Sequence, residues 1–107
     1  MKLIKAFVHH VRSAPVVDAL ADVGYRNITL QTVTGMLKPL SSNEQAYSSE
    51  ASGAVISEVR LSLVCEDGEV DEVTTIIRLV GRIGPGVSGW VYVSPVEQAL
   101  PIGDKEP

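Results

Sequence analysis

A chain of 107 residues fits one domain that is large enough to bury a hydrophobic core. Apolar residues make up 45% and charged residues 21% of it, which argues against global disorder. The net charge of −4 argues against a nucleic-acid-binding role, because such proteins neutralise phosphates with many lysines and arginines. No apolar run approaches the length of about 18 residues that a membrane span needs. The first residues follow a strand pattern instead of a targeting signal, so a cytoplasmic protein is expected.

The first part of the chain predicts a strand followed by a helix. Residues 2–9 are rich in strand-forming residues, and their even-numbered apolar side chains share one face. A helix is expected to begin at Ser13 or Ala14 with Pro15 in its first turn, where a missing N–H costs nothing. Gly24 suits the end of this helix. The apolar faces of the two elements consist of Ile4, Ala6, Val8, Val16, Leu20 and Val23.

The remaining chain predicts three more strands and a second helix. Residues 27–34 form the second strand, and residues 59–65 alternate with a period of two, as the third strand would. Asp67 is expected to cap a helix whose first turn is rich in acidic residues, and Gly81 would end that helix. Residues 90–93 predict the fourth strand. The buried stripe of the second helix is expected to consist of Val70, Val73, Ile77 and Val80.

This order predicts an α+β, ferredoxin-like βαββαβ fold, in which both helices cover one face of a four-stranded antiparallel sheet. Two connections are unusual. Residues 36–56 join the second and third strands, although loops longer than about 12–15 residues are usually functional or disordered. Residues 81–89 contain four glycines, so their N–H groups can converge on an anion. The plainer alternatives are a solvated insertion for the first connection and a glycine-capped turn for the second.

Six segments form an ordered set: residues 1–6, 19–24, 29–35, 67–78, 81–86 and 91–100. Residues 81–86 read Gly-Arg-Ile-Gly-Pro-Gly, and residues 29–35 read Thr-Leu-Gln-Thr-Val-Thr-Gly. In this order, and with a long loop between the second and third strands, the set resembles the PII signal-transduction family. The resemblance runs nearly from end to end, and it implies a single PII-like domain over residues 1–107.

The resemblance implies a homotrimer that binds adenine nucleotides in clefts between its subunits. It also implies that residues 36–56, called the T-loop in the family, reshape on ligand binding and dock to a transporter or a metabolic enzyme. A membrane would be involved only through such a partner. Residues 81–89 would face the phosphates, and residues 101–107 would form a flexible tail. By the resemblance, the nucleotide contacts are Gly35, Lys38, Val64, Arg82, Gly84, Gly86, Gly89 and Trp90, and the docking residues are Leu40, Ser42, Tyr47 and Ser49.

The chain departs from the family pattern in ways that bear on its ligand. Trp90 stands where the family has a basic residue, and Pro101 and Gly103 stand where it has two arginines. Fewer cations predict a preference for ADP or AMP over ATP. Tyr47 lies in Ala-Tyr-Ser-Ser instead of the modified Leu-Tyr-Arg-Gly context. The chain is therefore more similar to the divergent PII-like branch, some of whose members accompany inorganic-carbon uptake and carboxysomes and respond to bicarbonate with ADP or AMP.

Other functions find less support in the residues. No catalytic constellation stands out, so a regulator is expected and an enzyme is not. His9 and His10 adjoin in the predicted strand and would point to opposite faces, which argues against a shared metal ion. Cys65, the single cysteine, is expected to be buried and unreactive. Trp90 and Tyr92 share a face, which favours core or subunit-interface packing over base stacking. The alternative function is a ferredoxin-like metal-tolerance or small-ligand-binding protein without nucleotide signalling.

Overall fold

The structure is a computed structural model and describes residues 1–36 and 55–103. Its elements are β1 (Lys2–His9), α1 (His10–Asp22), β2 (Thr29–Met36), β3 (Val55–Cys65), a 3₁₀ turn (Asp67–Glu69), α2 (Val70–Val80) and β4 (Trp90–Pro95). The strands form one sheet in the order β2-β3-β1-β4, and all neighbouring strands are antiparallel. Helices α1 and α2 contact each other and the central strands. The chain therefore has the predicted ferredoxin-like fold.

The core lies between the sheet and the two helices. Successive side chains of a strand point to opposite faces, so the even-numbered residues of β1 and the odd-numbered residues of β3 meet beneath the helices. The buried apolar side chains are Ile4, Ala6, Val8, Val16, Leu20, Val59, Leu61, Leu63, Cys65, Val73 and Ile77. Val70 and Val80 are partly buried against them. The predicted alternation of the two central strands and the stripe of α2 are confirmed.

Helix α1 begins at His10, earlier than the predicted start at Ser13 or Ala14. The reason is an unusual cap, because His9 Nδ1 accepts the Val11 backbone N–H at 3.4 Å. Strand β1 therefore runs directly into the helix, and Pro15 lies inside it instead of in its first turn. The His9 and His10 rings stack with their centroids 4.6 Å apart, so the prediction that they point to opposite faces of one strand is wrong.

Helix α1 ends as predicted at Gly24. This glycine has a φ of +102°, in the left-handed region that only glycine adopts without strain. The Gly24 N–H donates to the Ala21 carbonyl and the Tyr25 N–H donates to the Leu20 carbonyl, each at 3.0 Å. These two bonds form a Schellman motif, which satisfies the last carbonyls of the helix. Val23, predicted to belong to the buried stripe, is 47% exposed because it is the cap residue outside that stripe.

Strand β2 starts and ends two residues later than predicted, at Thr29 and Met36. Its pairing with β3 continues until Met36 lies opposite Val55. The connection between the two strands is therefore shorter than the predicted residues 36–56. It consists of residues 37–54, which lie outside the described part of the chain. Strand β2 is at the edge of the sheet, and its Leu30 is half exposed.

Asp67 does not cap the second helix. The residue before the 3₁₀ turn is Glu66, whose backbone N–H donates to Glu69 Oε1 at 2.8 Å. Asp67 Oδ1 instead accepts a hydrogen bond from the Met1 ammonium group at 2.7 Å, and this interaction lowers the pKa of Asp67. A contact between residues so far apart in the sequence is invisible to a local pattern. The end of the second helix at Gly81 is confirmed.

Glu58 is a buried carboxyl group on β3, next to the boundary of the described residues. It is 6% exposed and lies opposite His9 in the β1–β3 pairing. Its Oε2 atom has no hydrogen-bond partner among the residues that the structure describes. Burial disfavours the charged form and raises the pKa of Glu58. A proton is therefore bound more tightly in the folded chain than in the unfolded chain.

We expect Glu58→Gln to stabilise the protein at neutral pH. The raised pKa means that the Glu58 contribution to stability is fully present below the unfolded-state pKa and is lost as pH rises through the folded-state pKa. The amide carries no charge, so the stability gain should appear at pH 7–8 and fade as pH falls toward about 4, where glutamate is mostly protonated in both states. Thermal unfolding at several pH values measures this gain, with the exposed Glu97→Gln as control. A gain that is equal at pH 4 and pH 8 would contradict the account.

Candidate functional site

A cleft of about 440 Å³ opens between the end of α2 and the start of β4. Its walls come from β1, from the last turn of α2, from the glycine-rich connection and from the first residues of β4. It is lined by Phe7, Val8, Ile77, Arg78, Gly81, Arg82, Gly86, Val87, Ser88, Gly89, Trp90 and Val91. The cleft therefore combines an apolar floor with a glycine-rich rim.

The glycine-rich connection is held in shape by its own hydrogen bonds. Ser88 Oγ accepts the Ile83 N–H at 2.7 Å and donates to the Ile83 carbonyl at 2.8 Å. Arg82 Nε donates to the Gly84 carbonyl at 3.0 Å, and Gly84 has a φ of +68°, in the left-handed region. The connection is thus a folded loop, because the two Ser88–Ile83 hydrogen bonds join residues near its two ends. Six residues of this connection line the cleft: Gly81, Arg82, Gly86, Val87, Ser88 and Gly89.

Strand β4 enters the sheet at a point where only glycine fits. A Cβ atom on Gly89 would overlap the Phe7 carbonyl oxygen. The next residue, Trp90, lies opposite Phe7 in the β1–β4 pairing, and the Phe7 and Tyr92 rings meet edge to face with centroids 6.1 Å apart. Trp90 and Tyr92 are more than half exposed, so the prediction of core packing is wrong for them, and packing against another subunit stays a prediction.

The electrostatics of the cleft differ from those of the whole chain. Arg78 and Arg82 both line it, and none of its described lining residues is acidic. The chain as a whole carries a net charge of −4. A concave surface of opposite sign to the protein concentrates anionic ligands. Arginine and free backbone N–H groups are also the donors that bind phosphate groups most effectively.

The structure brings part of the predicted nucleotide site together. Arg82, Gly86, Gly89 and Trp90 all line the cleft. Gly84 belongs to the same loop, where its carbonyl holds Arg82. These five residues were predicted from the glycine-rich segment and from the family resemblance.

The other predicted contacts lie elsewhere in the single chain. Gly35 is near the end of β2, which is separated from β4 by β3 and β1. Val64 is on β3, 47% exposed and outside the cleft lining. Lys38 and the docking residues Leu40, Ser42, Tyr47 and Ser49 lie outside the described residues, as do residues 104–107 of the predicted tail.

Gly35 and the cleft nevertheless lie at the same end of the sheet. Phe7, which pairs with Trp90, lies near the end of β1. It is two residues before His9, which pairs with Glu58. Gly35 follows two residues after the β2 partner of Glu58. Gly35 and the cleft are thus at one end of the sheet but on its opposite edges, whereas Val64 pairs with Leu3 at the other end.

Of the two arginines among the described lining residues, Arg78 is the one that the sequence did not identify as a site residue. It lies in the last turn of α2, where a basic residue is ordinarily explained by the helix dipole. One signal was available. The residues three and four positions before it on the helix are Thr75 and Thr74, so no acidic neighbour at these positions pairs with it.

Features of other protein classes are weak in the described parts of the chain. Residues 1–36 and 55–103 contain no group of three or more His, Cys, Asp and Glu side chains that could hold a metal ion. No helix among them is long and apolar enough to cross a membrane. Cys65 is buried as predicted, and burial, with the nearby Glu69 carboxylate, raises the pKa of its thiol. A raised pKa lowers the thiolate fraction, which is the reactive form.

Comparison with known proteins agrees with this geometry. The family model described as Nitrogen regulatory protein P-II matches residues 1–106. A Nitrogen regulatory protein P-II of Microchaete diplosiphon is 28% identical over 102 residues, which cover 95% of this chain and 91% of that protein. A Nitrogen fixation nifHD region glnB-like protein 1 of Methanococcus maripaludis is 32% identical over 103 residues, covering 95% and 93%. One of the same name from Methanothermobacter marburgensis is 29% identical over 107 residues, covering 99% and 97%.

Proposed function

The chain belongs to the P-II family of nitrogen regulatory proteins, and we propose that it is a PII-like regulator whose cleft binds the phosphates of ADP or AMP. Proteins of this family are regulatory trimers that bind adenine nucleotides and interact with partner proteins. The observation that carries the proposal is the cleft itself. It joins a hydrogen-bonded glycine-rich loop to two arginines, and its described lining residues include no carboxylate.

The position of the predicted contacts supports a site between subunits. The cleft lies at the β4 edge of the sheet, whereas Gly35 lies at the β2 edge, at the same end. A rotation that sets the β2 edge of one subunit beside the β4 edge of the next would join the two halves. Such a head-to-tail contact closes into a ring when the rotation permits. We therefore propose a homotrimer with three composite sites.

The proposed ligand preference follows from the number of cations. Arg82 is the one basic side chain of the loop, while Trp90 occupies the position at which the family places a cation. Pro101 and Gly103 also supply no charge. Each charge-assisted hydrogen bond contributes about 1.5–3 kcal/mol, so a site with few cations gains little from a third phosphate.

We expect titration calorimetry to give tighter binding of ADP or AMP than of ATP. Arg82→Gln should weaken ADP binding by about tenfold or more, because it removes a charged donor at the loop. Arg26→Gln is the matched control, since Arg26 is an exposed arginine outside the cleft lining. ATP as the tightest ligand would refute the preference, and no binding of any of the three nucleotides would refute the function.

We also propose that the T-loop carries the signal, with bicarbonate as a second ligand. The support is the unusual setting of Tyr47, which departs from that of nitrogen-signalling members of the family. Lys38 would contact the nucleotide at the base of the loop, and Leu40, Ser42, Tyr47 and Ser49 would meet a transporter or metabolic enzyme. Titrating ADP with and without bicarbonate tests this, since a second ligand of the same site must change the ADP affinity.

A further inference from the structure

The last turn of α2 places an arginine on the cleft whose charge the described chain does not neutralise. Arg78 is exposed and lines the cleft, yet its side chain has no hydrogen bond or ion pair with any described residue. By contrast, two arginines outside the cleft form hydrogen bonds within the chain. Arg12 Nε donates to the Val80 carbonyl at 2.9 Å, and Arg60 donates to Gln31. Arg78 is thus available for a ligand.

Arg78 is also next to a like charge. Arg82 follows it by four residues, just beyond the Gly81 cap of α2, and the two residues line one cleft. Like charges that line one cleft repel each other, and none of the described lining residues offers a carboxylate to neutralise them. A pair of unneutralised cations on a concave surface is the arrangement that an anion stabilises.

We infer that Arg78 is a second cationic ligand of the phosphate groups, reaching the cleft from the helix while Arg82 reaches it from the loop. The inference rests on the proposed function and adds a specificity residue to that site. Two guanidinium groups in one cleft match a diphosphate better than a single phosphate, because each can bind a separate phosphate group through two N–H donors. Arg78 therefore contributes to the choice of ADP over AMP.

The competing explanation is that Arg78 only complements the dipole at the end of α2. The two roles differ in what they depend on. A dipole role affects the stability of the free protein and is indifferent to the charge of the ligand. A ligand role leaves the free protein nearly unchanged and grows with the number of phosphates.

The test compares Arg78→Gln, Arg78→Lys and Arg26→Gln by calorimetry with ADP, AMP and inorganic phosphate as competitor. We expect Arg78→Gln to weaken ADP binding by about tenfold or more and AMP binding by less. Arg78→Lys should recover part of the loss because it restores the charge, and Arg26→Gln should bind like the parent protein. Thermal unfolding without ligand should be alike for all variants.

Two outcomes would overturn the inference. One is an ADP affinity of Arg78→Gln equal to that of Arg26→Gln while Arg82→Gln binds poorly, which leaves the proposed function intact. The other is an equal loss for ADP and AMP accompanied by a lower melting temperature in the free protein, which assigns Arg78 to the helix. Failure of the parent protein to bind any adenylate refutes the proposed function itself, so the two failures are distinguishable.

Discussion

Replacing Gly89 with alanine is expected to destabilise the protein by about 3 kcal/mol, the upper range for inserting an atom into a packed site. The added Cβ would overlap the Phe7 carbonyl oxygen, and this atom belongs to the backbone of a central strand. A flexible side chain could move aside, but β1 cannot move without disturbing its pairing with both β3 and β4. The strand that begins at Trp90 must therefore shift away from β1.

Denaturant unfolding at a fixed protein concentration measures this loss, and Gly68→Ala is the matched control. Within the described part of the chain, a Cβ on Gly68 meets no atom within 4 Å, and Gly68 has no positive φ. Because Gly89 and Trp90 also line the cleft, Gly89→Ala should weaken ADP binding as well. A variant as stable as Gly68→Ala would show that the entry of β4 is looser than the structure indicates.

Replacing Leu61 with alanine should likewise cost about 3 kcal/mol of the free energy of unfolding, by lost burial and by the cavity left behind. Leu61 has no exposed surface and lies on β3, which β1 and β2 flank on both sides. Its neighbours are fixed in a sheet and in two helices, so they can refill the space only in part. The residue that pairs with Leu61 on β2 is also a leucine, so the same substitution can be compared on the two strands.

The comparison is with Leu30→Ala, since Leu30 lies directly opposite Leu61 in the pairing of β2 with β3. Leu30 is half exposed at the sheet edge, so its replacement should cost no more than about 1 kcal/mol by lost burial alone. The two variants change the same residue type on one rung. Equal losses would mean that the β2 edge is buried, as it would be in an oligomer.

The elements that could be predicted from the sequence are those whose signal is local and repeated. The alternation of Ile4, Ala6 and Val8, and that of Leu61 and Leu63, follows from the period of a strand. The start of α1 could not be predicted in this way, because its cap is His9 and capping rules favour Ser, Thr, Asp and Asn. Edge strand β2 was misplaced by two residues, since a half-exposed strand has a weak apolar pattern.

The residues of the candidate site likewise divide into those that a local sequence pattern predicts and those that depend on tertiary structure. Arg82, Gly86 and Gly89 belong to one short segment whose composition already predicts an anion loop, and all three line the cleft. The lack of an acidic neighbour was the one local signal for Arg78, because its position on the cleft depends on how the end of α2 is placed against β1 and β4. For Gly35, the sequence predicts more than a single chain can show. The resemblance predicts a shared site, and a single chain places this residue on the far edge of the sheet.

The double hydrogen bond between Ser88 and Ile83 has a consequence for the speed of the proposed response. It fixes the shape of the glycine-rich loop within the protein alone, so an arriving nucleotide would have little conformational entropy to remove there. Association should then be limited by encounter, at about 10⁵–10⁷ M⁻¹s⁻¹, and at micromolar affinity the ligand should leave within about 0.1–10 seconds. Occupancy of the cleft would follow the free nucleotide concentration almost in real time, so any memory in the signal would have to reside in the partner.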